Sequence, residues 1–119
     1  MAISWAWPAS TITRVIDGDS VVARMIRDIG FHGFVTFDQR LRLNRINASP
    51  GSTDLGMAAT AMVTAYLGLP VGIVTIKPYK YGDEWMAEIT LPDGTNLSDA
   101  LVAAGLAVYW DGTGPRPGG

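Results

Sequence analysis

The sequence predicts a single α+β domain in which five short strands close into a Greek-key barrel and two helices pack against it. Three observations point there. Alternating or β-branched runs, the mark of strands with one buried face, recur at 11–16, 20–28, 34–43, 72–77 and 85–91. Only two stretches carry helical spacing, one after the third strand and one near the end, so the strand–helix alternation of a parallel sheet is missing. A chain of 119 residues has room for one core and no second domain.

Each element has a local cause. The first strand ends at Asp17-Gly18-Asp19, a turn that leads into the second strand at Ser20. Asp and Gly are turn formers, and Gly18 is expected to supply a positive φ. Along the second strand Val21, Ala23 and Met25 share one face, with Val22, Arg24 and Ile26 on the other. Residues 29–33 form the hairpin connection. The third strand points Val35, Phe37, Gln39, Leu41 and Leu43 one way and Thr36, Asp38, Arg40 and Arg42 the other. Residues 40–50, RLRLNRINASP, then run from strand into a loop that stops at Pro50.

Thr53 or Asp54 caps a helix at 54–67, with Leu55, Ala59, Met62, Val63 and Tyr66 as its apolar stripe, closed by Gly68 with Pro70 just beyond. The strands at 72–77 and 85–91 are joined by the turn-rich stretch 78–84. Pro92-Asp93-Gly94-Thr95 is a β-turn, Asn96 caps a second helix at 97–104, Gly105 ends it, and 106–109 returns to the sheet. Near the start, Trp5 and Trp7 either pack over a barrel end or offer a stacking platform for bases. Residues 1–111 make up the domain, and 112–119 is a Gly/Pro tail expected to be mobile. Five strands with a helix after the third describe a small barrel of the oligonucleotide-binding type, an OB-fold.

Composition narrows the function. Apolar residues make up 48% and charged residues 17%, the balance of a globular chain. No apolar stretch reaches the roughly 18 residues of a membrane span, and the first ten residues lack a signal-peptide pattern. A soluble cytoplasmic protein with no membrane partner is therefore expected. With no Cys there is neither disulfide nor thiolate zinc, and the lone His32 rules out a His-rich metal site. Any metal would need oxygen ligands. A formal net charge of −2 argues against coating nucleic acid through bulk charge, so contacts to phosphate must be local.

The chemistry-bearing residues fall in a few clusters. Asp17 and Asp19 place two carboxylates at one bend, which reads either as a plain hairpin turn or as a site. Lys77 and Lys80 suit phosphate, while Tyr79 and Tyr81 either stack on a base or pack across a turn. Taken in order, VIDGDSV, the RLRLNRINA stretch, KYG followed by EWMAE, and PDGTNLSDALVAAGLA resemble the staphylococcal-nuclease-like (thermonuclease) family over residues 11–108. The closest flavour is that of its phage-encoded members.

That resemblance implies an OB barrel, Ca²⁺ held by two carboxylates and a main-chain carbonyl, two arginines on the scissile phosphate, and a glutamate serving the attacking water. Carried over by motif position, Asp19 falls on the first metal carboxylate, Ala48 on the main-chain ligand and Arg42 on the first phosphate arginine. Asn47 takes the second carboxylate, Pro50 takes the glutamate, and Glu84, or Asp83 beside it after KYG, takes the second arginine. The family's third helix has no counterpart, because the chain turns to Gly and Pro.

Asn offers an oxygen without charge, Pro offers no side-chain oxygen, and Glu puts an acid where a cation belongs. Losing a base costs about 10²–10⁴ in rate, and losing a transition-state cation costs on a comparable scale. The expectation is a module that binds nucleic acid or a phosphorylated nucleotide through Asp19, Arg42, Lys77, Lys80, Tyr79 and Tyr81, with weak Ca²⁺ binding and little hydrolysis. Two other readings stay open. One is a Ca²⁺-dependent DNA or RNA phosphodiesterase whose base has moved to Asp17, Ser49 or Asp54; the other is a protein-interaction module anchored by Trp5, Trp7, Trp85 or Trp110. Arg45 is expected on a solvated strand edge.

Overall fold

The computed structural model describes residues 5–78 and 83–110. Strand β1 (Trp5–Asp17) is long enough to serve two neighbours. Its second half pairs antiparallel with β2 (Ser20–Gly30) and its first half with β5 (Pro70–Pro78). Strand β3 (Gly33–Leu43) continues the sheet from β2 and meets β6 (Trp85–Thr90) in parallel, and β6 returns to β5. The order β1-β2-β3-β6-β5 closes on itself. With helices α1 (Asp54–Thr64) and α2 (Leu97–Ala103), this is the mainly β, five-stranded barrel expected from the sequence, with an OB-like order.

Closure depends on where β1 changes partner. A bulge lies between Trp7 and Ser10, at Pro8, whose ring nitrogen has no hydrogen to give a ladder. The buried Ser10 makes up the local polar balance: its Oγ donates to the Trp7 carbonyl at 3.2 Å and accepts from the Ile26 amide at 3.1 Å. Trp5 and Trp7 thus belong to the strand and not to a separate cap. Trp7 is buried edge-on to Phe37 at 5.4 Å, with Nε1 donating to Thr75 Oγ1 at 3.0 Å. Trp5 stays on the outside, with the Arg27 guanidinium 5.1 Å from its ring.

The barrel interior follows the predicted alternation, with Val21, Ala23, Met25, Leu41 and Leu43 fully buried beside Ile73 and Ile89. Helix α1 adds Ala59 and Val63, and α2 adds Leu97 and Leu101. Leu55 is exposed, because the face that α1 turns inward begins at Gly56 and continues through Ala59 and Val63. Thr53 is the cap, its hydroxyl accepting from the Gly56 amide at 3.0 Å. The helix ends at Thr64, three residues early, as Tyr66 and Leu67 turn to tighter bonds with Val63 and Thr64. Between β2 and β3 only Phe31 and His32 form the turn, both with positive φ, which suits the twist of a two-residue hairpin better than the longer connection expected.

Residues 46–48, read as loop from the sequence, form a short strand β4 (Ile46–Ala48) that pairs antiparallel with β7 (Ala107–Tyr109), the strand expected at 106–109, which joins β4 and not the barrel. Arg45, just before β4, has φ +69° and is exposed as expected, but it sits in a turn and its guanidinium is fully engaged. Its guanidinium bonds Glu88 at 2.7 and 3.1 Å, Asp99 at 3.0 Å and Asn96 at 3.3 Å, and lies over the Tyr109 ring. One cation therefore ties the end of β3 to β6, α2 and β7.

Burial alone would raise the Glu88 pKa, but N–H bonds from Arg45, Asn96 and Asn44 outweigh it and hold the carboxyl below its ordinary 4.5. A group depressed on folding contributes stability that is complete above its unfolded value and lost as the pH falls through its folded value. Thermal unfolding across pH should therefore show the wild type losing Tm below about 4.5 more steeply than Glu88→Gln. Parallel profiles would contradict the network's role.

Candidate functional site

The turn after β1 is held by contacts from both sides. Asp19 donates its amide to Asp17 Oδ1 at 3.3 Å, the local bond that makes Asp a turn former. Gly18 does not have the expected positive φ; its smallness serves a different purpose. A Cβ at Gly18 would lie 2.5 Å from the Ala59 Cβ and 3.1 Å from the Ala48 Cβ, so the turn is seated between α1 and β4. Gly56 does the same for the next loop, where an added Cβ would stand 1.8 Å from the Pro50 carbonyl oxygen. That carbonyl accepts from the Thr53 amide at 3.0 Å and hydroxyl at 2.7 Å, so the start of α1 fixes the Pro50 backbone.

Between these elements opens a cleft of about 330 Å³. At its base Asp19 and Arg42, 5% and 4% exposed, form an ion pair through Oδ2 and Nη1. The same carboxylate oxygen accepts from the Ala48 amide at 2.9 Å. Arg42 Nη2 donates to Asn47 Oδ1 at 3.2 Å and to the Ile46 carbonyl at 3.4 Å. The pairing of β4 with β7 is what holds Ile46, Asn47 and Ala48 in register for these bonds.

The rim has a different character. Arg40 lines the cleft two residues before Arg42, is exposed, and its guanidinium has no hydrogen bond or ion pair with any described residue. Glu84 reaches in from the start of β6 and accepts from the Ser20 hydroxyl. Asp83 contributes only its carbonyl, which Gln39 Nε2 bonds at 2.7 Å, so Glu84 is the acid that faces the cleft. The Asp17 carboxyl is pushed up to about 6, first by burial and then by a shared hydrogen bond with Asp19 and its charge.

Asp19, Arg42, Asn47, Ala48, Pro50 and Glu84, scattered over 66 positions of sequence, therefore all line one cleft. Of the alternative oxygen sources, Asp17 and Ser49 also line it, while Asp54 lies outside it in the exposed first turn of α1. The Lys77 backbone pairs with Met86 in β5; its side chain, with Tyr79, Lys80 and Tyr81, lies outside the described residues. Arg40 and Ser20 are additions to the site. Arg40 is signalled by its period-two spacing from Arg42, whereas Ser20 depends on a register that only the folded sheet shows, which sets it opposite Arg42. Among the tryptophans, Trp7 is buried, Trp85 and Trp110 are half-buried, and Trp5 alone is largely exposed.

The oxygens do not fit a tight Ca²⁺ site. A hard cation of that size takes six to eight oxygens with substantial negative charge. Here one buried carboxylate and one amide turn their oxygens to a guanidinium, and no cluster of three acidic, His or Cys side chains suited to a metal occurs among the described residues. No described helix is long and apolar enough to cross a membrane. Comparison of the sequence with protein-family models and with curated proteins finds no match.

A glycine-to-alanine change inside a helix ordinarily gains about 1 kcal/mol. At Gly56 the sign should invert, with a loss of about 1–3 kcal/mol by denaturant unfolding, because the new methyl overlaps the Pro50 carbonyl. Gly72→Ala, whose methyl would meet only Thr90 Cβ at 3.7 Å, should change stability little. A stabilised Gly56→Ala protein would contradict the seating of α1 against this loop.

Proposed function

We propose that the cleft binds a phosphorylated ligand, a nucleotide or the end of a nucleic-acid strand, and hydrolyses it weakly or not at all. The observation that carries this reading is the pairing of Arg40, open to a ligand, with a set of neighbours unsuited to catalysis. Asp19 is paired with Arg42, so among the described residues lining the cleft Arg40 is the cation left to meet a phosphate, and a guanidinium fork matches phosphate oxygens in a bidentate way. Lys77 and Lys80, with Tyr79 and Tyr81 for stacking, are proposed to extend the contact beyond the cleft.

Phosphodiester hydrolysis needs a base for water and positive charge for the developing oxyanion. Pro50 has no side-chain acceptor, and its carbonyl is already engaged by Thr53. Glu84 brings negative charge to the cleft. Ca²⁺ has at most a weak part, because Asp19 and Asn47 already turn their oxygens to Arg42. The resemblance to nucleases bears on ligand class, and the changed residues bear on chemistry.

A second reading, a phosphodiesterase with a displaced base, is favoured by one observation: Asp17 lines the same cleft with its carboxyl pushed up to about 6, a useful range for a general base. Plasmid nicking with Ca²⁺ and with chelator separates the two. The wild type should cleave negligibly. Pro50→Glu with Glu84→Arg should raise cleavage by more than the product of the single changes, because base and cation act as a unit. Robust wild-type cleavage abolished by Asp17→Asn would overturn the binding reading and establish the second.

A further inference from the structure

We infer that the Arg42 guanidinium is the built-in cation of this cleft, taking up the Asp19 carboxylate and the Asn47 amide oxygen that a divalent metal would need, so that the site is assembled without metal. Its bonds have the form of a coordination shell. Nη1 meets the Asp19 carboxylate, and Nη2 meets the Asn47 amide oxygen at 3.2 Å and the Ile46 carbonyl at 3.4 Å. Carboxylate, amide and main-chain carbonyl are the oxygen types that a hard cation collects, and here they come from the turn after β1 and from β4. Drawing them onto one charge is the structural work that a metal performs elsewhere.

Charge balance points the same way. Asp19 supplies a negative charge to this shell, Asn47 supplies a neutral oxygen, and the guanidinium pairs with both. A divalent ion in the same place would have to expel Arg42, which is almost wholly enclosed, or share Asp19 with it. Two cations sharing one carboxylate repel. The neutral Asn47 and the buried Arg42 are thus two halves of one arrangement. This inference is independent of which ligand the rim takes, because it is read in metal binding and not in phosphate binding.

The test compares wild type, Arg42→Met and Arg42→Lys by thermal unfolding in chelator and in millimolar Ca²⁺, and by calorimetric Ca²⁺ titration. Wild type should melt at the same temperature in both media and bind Ca²⁺ no tighter than about 1 mM. Arg42→Met keeps the length and removes the charge; it should melt lower, bind Ca²⁺ at least about tenfold more tightly than wild type, and recover part of its Tm with Ca²⁺. Adding Asp19→Asn to it should remove that gain. Arg42→Lys should stay indifferent to Ca²⁺, since it retains a cation. Wild-type binding at about 10 µM or tighter, or a folded Arg42→Met with no gain, overturns the inference. Folding of Arg42→Met only in Ca²⁺ counts as the gain. If it folds in neither medium, the wild type decides, with indifference to Ca²⁺ upholding the inference and stabilisation by Ca²⁺ overturning it.

Discussion

The buried ion pair between Asp19 and Arg42 is the constraint on which the arrangement of the cleft depends. It joins the turn after β1 to the end of β3, and through Ala48 and Asn47 it reaches β4. A buried pair adds little net stability over a well-packed apolar pair, yet removing one partner strands a charge at a cost of about 3–5 kcal/mol. Its effect is therefore on geometry more than on stability. Once both residues are in place, every backbone segment near them must sit where the remaining donors and acceptors are met.

Several features of the chain make that possible. Gly18 is small so that Ala59 and Ala48 can close over the turn, and Gly56 is small so that α1 can start against Pro50. Beyond the cleft, Arg45 repeats the same principle in a more exposed setting, pinning the turn before β4 to Glu88 and Asp99. The pairing of β4 with β7 then keeps Asn47 and Ala48 from drifting as a loop would. Stability and site geometry are coupled through two arginines five and eight positions from Pro50. The barrel supplies the frame, and these polar ties aim particular atoms into the cleft.

Much of the fold was legible because it rests on local periodicity. Val21, Ala23 and Met25 alternate as a half-buried strand must, and Asn96 and Gly105 bracket α2 as cap and stop. What was not legible depends on contacts distant in sequence. Strand β4 is three residues long, too short for a pattern, and exists because β7 lies beside it. The entry of Trp5 and Trp7 into β1 depends on β5, some seventy residues away. Within the site, the motif order named residues that line one cleft, yet it could not reveal that Arg42 turns inward to Asp19 while Arg40 remains open. Strand alternation puts those two arginines on one face, and their different roles come from what each one meets there. Gly18 shows the same limit: a turn glycine suggested a backbone conformation, whereas its use here is close approach.

A cleft that takes a phosphorylated ligand and leaves it intact, as proposed, can be read on both counts by nuclear magnetic resonance in one sample. A 5′-phosphorylated single-stranded oligonucleotide is titrated into ¹⁵N-labelled protein while ³¹P spectra follow the phosphodiesters. Amide shifts should concentrate at Asp19, Ser20, Asn47, Ala48 and Ser49 around the cleft, with the phosphodiester signals unchanged after prolonged incubation. Shifts confined to another surface, or growth of new phosphomonoester signals with wild-type protein, would contradict the proposal.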